Sequence, residues 1–133
     1  MRRIVGCTYH RIHRVLDMLC LGFSCDHMLA YSLHVQTQWR VTHNHQIILA
    51  SRDMYLPFSN NEESNVFDAK CKEFDQFMHG SIVSNCSMSE FGDLQIVFSN
   101  DVVFELFIPA SVKDEEWRLI DLIRDEHIVF YDV

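Results

Sequence analysis

Polar and apolar positions alternate with a period of two through most of this chain, the pattern of strands that bury one face. In Leu94-Gln95-Ile96-Val97-Phe98-Ser99 the residues Leu94, Ile96 and Phe98 share a side. After Asn100-Asp101 the chain returns from Val102 to Ile108 with Phe104, Leu106 and Ile108 together, which predicts a hairpin. Gly92-Asp93 turns the chain out of a preceding strand over Ser81–Ser89. Near the start, Thr8–Val15, Met18–Phe23 and Met28–Val35 predict a matching three-strand meander, with Gln46–Ala50 as its fourth strand and Ile128–Tyr131 as the fourth of the later set. One segment breaks the period. Phe67, Cys71, Phe74 and Met78 fall at i, i+4, i+7 and i+11, which predicts an amphipathic helix from about Asn65 to Met78, capped by Asn65 and closed by Gly80. Ser59–Ser64 reads as a loop, and Asp114–Arg124 as a short helix or an irregular arm around Trp117.

The two β-rich stretches share landmarks in the same order. Gly6 and Gly80 are 74 residues apart, the Leu-x-aliphatic-x-Phe-Ser strands 75, and Trp39-Arg40 and Trp117-Arg118 78. This predicts a single domain over residues 1–133, of α+β class and mainly antiparallel β. Its two pseudo-repeated meanders, about eight strands over halves 4–53 and 80–133, are joined by a loop and helix at 59–79. Each tryptophan is expected to close one half of the core, its indole N–H bonded to a loop carbonyl.

Composition narrows the class. With 48% apolar residues, four Gly and two Pro, the chain is globular rather than disordered. No stretch has the apolar length of a membrane span, and His10–Arg14 interrupts any signal-like core, so no membrane role is expected. Five cysteines without a CxxC pair read as free, mostly buried thiols in a reducing cytoplasm. The net charge of −8 is uneven: residues 1–50 carry +3 and residues 51–133 carry −11. An acidic half repels phosphates and attracts a basic partner, so nucleic acid is not the expected ligand.

Catalytic motifs are not assembled by spacing. His43-Asn44-His45 has the letters of a nuclease motif but sits in a polar turn. Cys7, His10 and His13, with Cys25 and His27 as further donors, suggest zinc only if the segment is helical; on a strand the set is split between two faces. No cysteine lies in an elbow or at a helix start that would stabilise a thiolate, and the isolated glycines write no phosphate loop. No catalytic residue, metal or cofactor is therefore expected. The basic segment Arg2, Arg3, Arg11, Arg14 and Arg40 reads as scattered surface charge. The candidate site is the acidic run Asp114, Glu115, Glu116, Asp121, Asp125 and Glu126, six carboxylates interleaved with Trp117, Leu119, Ile120 and Leu122. Such a run can steer and dock a cationic partner; it lacks the spacing of a calcium loop.

Several short stretches resemble a group of small bacterial immunity-type proteins of contact-dependent inhibition and related polymorphic toxin systems. They are Ile4-Val5-Gly6, Gln38-Trp39-Arg40, Ile47-Ile48, Ser51-Arg52-Asp53, Gly92-Asp93-Leu94-Gln95-Ile96-Val97-Phe98 and Glu116-Trp117. The resemblance implies a cytoplasmic protein without catalysis of its own that neutralises the basic C-terminal domain of a cognate toxin, a nuclease in many such systems, by direct binding. The alternative is a structural β-module that forms a homodimer through exposed strand edges.

Overall fold

The alternation is realised as strands. The computed structural model describes residues 2–59, 61–112 and 114–129. A 3-10 turn at Arg2–Ile4 leads into β1 (Thr8–Val15), β2 (Met18–Cys25), β3 (Met28–Val35), β4 (Gln38–His43) and β5 (Gln46–Ala50). A second 3-10 turn (Ser51–Tyr55) and a small hairpin of β6 (Pro57–Phe58) and β7 (Asn61–Asn65) precede α1 (Val66–Met78). Then come β8 (Val83–Met88), β9 (Leu94–Phe98), β10 (Val103–Phe107), β11 (Trp117–Asp121) and β12 (Glu126–Val129). The last strand is described to Val129; Phe130 and Tyr131 lie outside the described residues. Tight hairpins turn at Asp26-His27 and Asn44-His45, each residue with φ between 51° and 65°, the primed geometry that matches strand twist.

Among the described residues the long strands form two antiparallel sheets, ordered β1-β2-β3-β11-β12 and β5-β4-β10-β9-β8. The chain is of α+β class and mainly antiparallel β with one helix, as expected, but its sheets are not the two meanders intact. Each half keeps its first three strands together and sends its last two to the sheet of the other half. The physical reason lies at the free edge of each meander. A three-strand meander leaves β3 or β10 with an unpaired side, and the returning strand of the other half fills it. β11 pairs with β3 from Trp117↔Val35 to Asp121↔Tyr31, and β4 pairs with β10 from Gln38↔Phe107 to Thr42↔Val103. The chain crosses between sheets at one corner, where the Gln36 N–H donates to the Glu116 carbonyl (2.8 Å) and the Thr37 hydroxyl to the Phe107 carbonyl (2.7 Å).

The halves correspond down to irregularities. β1 carries a register shift between Tyr9 and Arg11 and β8 one between Val83 and Asn85, 74 residues later. The two sheets meet at the bridge Thr8↔Ile82, flanked by Tyr9 N–H to Ser81 O (2.7 Å) and Val83 N–H to Cys7 O (2.8 Å). Exchanging the halves maps each of those bonds onto the other. Phe23 stacks on Phe98 across the core at 6.4 Å between centroids. One apolar cluster, with Trp39, Trp117, Phe104 and Leu33 deep within it, fills the space between the sheets.

Three further expectations change. Asp114–Arg124 is neither helix nor arm: Trp117 and Leu119 face the core with Asp121 in alternation, so the segment is β11 followed by a turn. Asn61–Asn65 is a strand paired with Pro57–Phe58 rather than a loop. The five cysteines are not all free, since Cys7 and Cys25 form a disulfide with Cα atoms 5.1 Å apart, leaving Cys20, Cys71 and Cys86 as thiols. These two residues flank the Thr8↔Ser24 pair and staple β1 to β2.

The helix is placed by its apolar stripe and one carboxylate. Phe67, Phe74 and Met78 are buried, and the Asn65 side chain accepts the Asp68 N–H at 2.8 Å as N-cap. Asp75 Oδ1 accepts the Tyr9 hydroxyl (2.5 Å) and the Ile12 N–H (3.1 Å), so α1 covers the open edge of β1 and satisfies one of its donors. No described helix is long and apolar enough to cross a membrane.

Candidate interaction surface at the sheet corner

The six carboxylates singled out in the sequence do not form one patch. β11 separates them, with Glu116 at its start and Asp121 at its end, a span of about 16 Å for an extended chain. At the far end Asp121 is 2% exposed, and its Oδ1 accepts the N–H groups of Ile123 (3.0 Å) and Arg124 (2.9 Å). It organises the β11–β12 turn and is withdrawn from the surface. Glu126 pairs with Arg3 at 2.9 Å, while Asp125 is exposed in the turn at φ 55°. At the near end Glu115 pairs with Arg118, which holds its carboxyl below the usual range. Asp114 is exposed and caps the Glu115 N–H at 2.8 Å.

Glu116 is placed differently. Its backbone ties β3 to β11, and its side chain lines an open groove of about 420 Å³ at the corner where the chain changes sheets. Asp17, in the β1–β2 turn, stands on the same groove with Gln36, Gln38, Tyr55 and Pro109. The Tyr55 hydroxyl donates to the Asp17 carboxylate at 3.4 Å, and its pKa is raised by partial burial and by that negative charge. Tyr55 is 65% exposed and Leu16, beside Asp17, 82%. No Lys, Arg or His lines the groove among the described residues. Two carboxylates, two amides and an exposed aromatic ring without a cation can accept hydrogen bonds from a guanidinium or ammonium group and stack against it. Asp17, Gln36, Gln38 and Tyr55 were not legible as a site, because they lie far apart in sequence and none belongs to a charged run.

The other candidates settle into structural roles. Cys7 is in the core and bonded to Cys25, and the β1 irregularity leaves both His10 and Arg11 exposed between the buried Tyr9 and Ile12, so His10 and His13 share the outer face without Cys7. His10 Nδ1 lies 3.0 Å from the Ser24 hydroxyl, a pair the sequence did not suggest. Among the described residues no three His, Cys, Asp or Glu are grouped to hold a metal ion. His43-Asn44-His45 is the β4–β5 turn, with the His43 ring edge-on to Phe77 at 5.2 Å. Trp117 donates its indole N–H to the Gly92 carbonyl (2.9 Å), as anticipated; the Trp39 N–H is buried without a partner among the described residues. On the outer face of the first sheet, His13, Cys20, His34 and Arg118 are successive cross-strand neighbours, and Arg118 reaches the His127 ring at 3.2 Å. Burial lowers the His34 pKa first, with Arg118, His13 and His127 adding to it.

The chain matches no family model, no curated protein and no solved structure.

Proposed function

We propose that this chain is a cytoplasmic protein of the immunity type, which neutralises a toxin domain by binding a basic segment of it in the corner groove, without catalysis of its own. The observation that carries this reading is the groove between Asp17 and Glu116, which no cation of the chain lines among the described residues. The net charge of −8 adds long-range steering, so a basic domain meets this surface at a raised rate that falls with salt. Asp114 lies beside the groove in sequence and extends its negative field; Glu115 is paired with Arg118, and Asp121 and Glu126 with Arg3, which leaves Asp125 as the unpaired carboxylate at the other end of β11 among the described residues.

The test is co-expression with the C-terminal domain of a large secreted protein encoded beside this chain. A one-to-one complex that restores growth, weakened about tenfold or more by Asp17→Asn with Glu116→Gln, supports the reading. A complex indifferent to that double substitution moves the interface elsewhere, and no complex with a folded chain removes the immunity role.

A second reading has its own observation. β8 is the outer strand of its sheet and bears no charged residue from Val83 to Met88, whereas exposed edges are usually blunted by charge or cover. Pairing of this edge with a second copy makes the chain a dimerising β-module. Sedimentation across a hundredfold concentration range tests it, and Ser87→Lys should then dissociate the dimer.

A further inference from the structure

α1 lies along the edge of β1, and between them runs an open groove of about 640 Å³, away from the corner surface. Both of its carboxylates are engaged. Asp68 takes two bonds from Arg14, at 2.9 and 2.6 Å, and Asp75 takes the Tyr9 hydroxyl and the Ile12 N–H. Arg11 and Lys72 line the same groove, one from the strand and one from the helix, and neither side chain has a hydrogen bond or ion pair among the described residues. Three cations (Arg11, Arg14 and Lys72) against two carboxylates leave the groove net positive in a chain whose overall charge is −8.

His13 supplies the second observation. Its Nδ1 is buried and has no hydrogen-bond partner among the described residues, yet the residue lines this groove. A buried polar nitrogen left unpaired costs roughly 1–3 kcal/mol, so this atom calls for a partner that the described residues do not supply. Gln76 adds an amide on the helix side. The volume falls in the range of sites for small molecules, roughly 300–1,000 Å³. A tetrahedral oxyanion matches this set better than a neutral ligand does, because it accepts from two full charges and an imidazole N–H together.

We propose that the groove between β1 and α1 binds a small phosphate-bearing molecule, with Arg11 and Lys72 on the phosphate oxygens and His13 donating to it. Arg14 is held by Asp68 and shapes the end of the groove. This site is independent of the corner groove and of any protein partner.

The experiment is a titration of the full chain, labelled with 15N, by pyrophosphate and separately by AMP at low ionic strength. Saturable shifts confined to residues 11–14 and 71–76, weakened about tenfold by Arg11→Gln and by Lys72→Gln but not by Lys70→Gln, support the proposal. Lys70 faces a different cleft beside Phe77 and serves as the charge control. AMP binding at least as tightly as pyrophosphate assigns an organic phosphate; pyrophosphate binding with AMP excluded assigns the free oxyanion. Absence of site-confined shifts at millimolar ligand overturns the proposal, and so does equal affinity in R11Q, K72Q and the parent chain.

Discussion

Trp39 and Trp117 occupy corresponding positions on β4 and β11, each buried to within 2% exposure, yet only Trp117 has a partner for its indole N–H, the Gly92 carbonyl at 2.9 Å. The two sites make the same steric demand and differ by one hydrogen bond. Trp→Phe at either position removes similar volume. At Trp117 it also strands the Gly92 carbonyl, whereas at Trp39 it removes a donor that was already unsatisfied. Trp117→Phe should therefore cost about 1 kcal/mol more than Trp39→Phe in urea unfolding. Equal costs would mean that the Trp39 N–H is satisfied in solution.

The anchor of α1 on β1 gives a second prediction. Asp75 holds Tyr9 and the Ile12 N–H with one oxygen, so Asp75→Asn weakens two bonds to a charged acceptor at once. A loss of about 2–3 kcal/mol is expected, against about 1 kcal/mol for Tyr9→Phe, which removes only the hydroxyl. The double variant should lose less than the sum, because the bonds share Asp75. Strict additivity would show that the two bonds act independently.

These contacts mark the boundary of what the sequence disclosed. β1, β3, β5 and α1 were legible to the residue or nearly so, because their alternation, caps and turn residues are local. β11 was hidden by Asp114-Glu115-Glu116 before it and by Asp121 within it, since a buried acid at an inward position breaks the apolar pattern. The exchange of strands between halves is a long-range pairing that no local pattern encodes. The Cys7–Cys25 bond depends on the bulge between Tyr9 and Arg11, which shifts the register by one residue and sets Thr8 opposite Ser24. Of the candidate site, Glu116 was visible as part of a charged run. Asp17 and Tyr55 meet it only because β1, β3 and the Ser51–Tyr55 turn converge at one corner.

Acidification should weaken the fold through His13 and His34. Both are held below the ordinary histidine value, His34 by burial and then by Arg118, His13 and His127, and His13 by burial and then by Arg11, with Asp75 opposing. A base whose folded pKa is depressed binds fewer protons folded than unfolded between the two values. Its contribution is complete above the unfolded value, near 6.5, and is lost as pH falls from there toward the folded value. The urea midpoint should drop between pH 7 and pH 5, and His34→Gln should flatten that slope. Glu115, depressed by Arg118, acts in a separate window below about 4.5. A midpoint constant from pH 7 to pH 5 would rule out the histidine effect.

Thiol chemistry provides the last prediction and bears on compartment. Burial pushes the Cys71 thiol up to about 12, with Asp75 and Asp68 adding to it, and the Cys86 thiol up to about 11. Cys20, 2% exposed, is raised by burial as well. At pH 7.5 a thiol of pKa near 11 is only about 0.03% thiolate, against about 10% for a free cysteine near 8.5, so it should alkylate at least about 300-fold more slowly. Iodoacetamide should leave the native chain unmodified over a period that labels the denatured chain fully. Denatured without reductant, the oxidised chain should take up three equivalents, at Cys20, Cys71 and Cys86, and five after reduction. Fast labelling of native Cys71 would contradict its partial burial on the inner side of α1. The same count on protein quenched with acid directly from cells discriminates the compartments. Five equivalents place the chain where thiols stay reduced, as the immunity reading requires of a cytoplasmic inhibitor, and three place it where the Cys7–Cys25 bond persists.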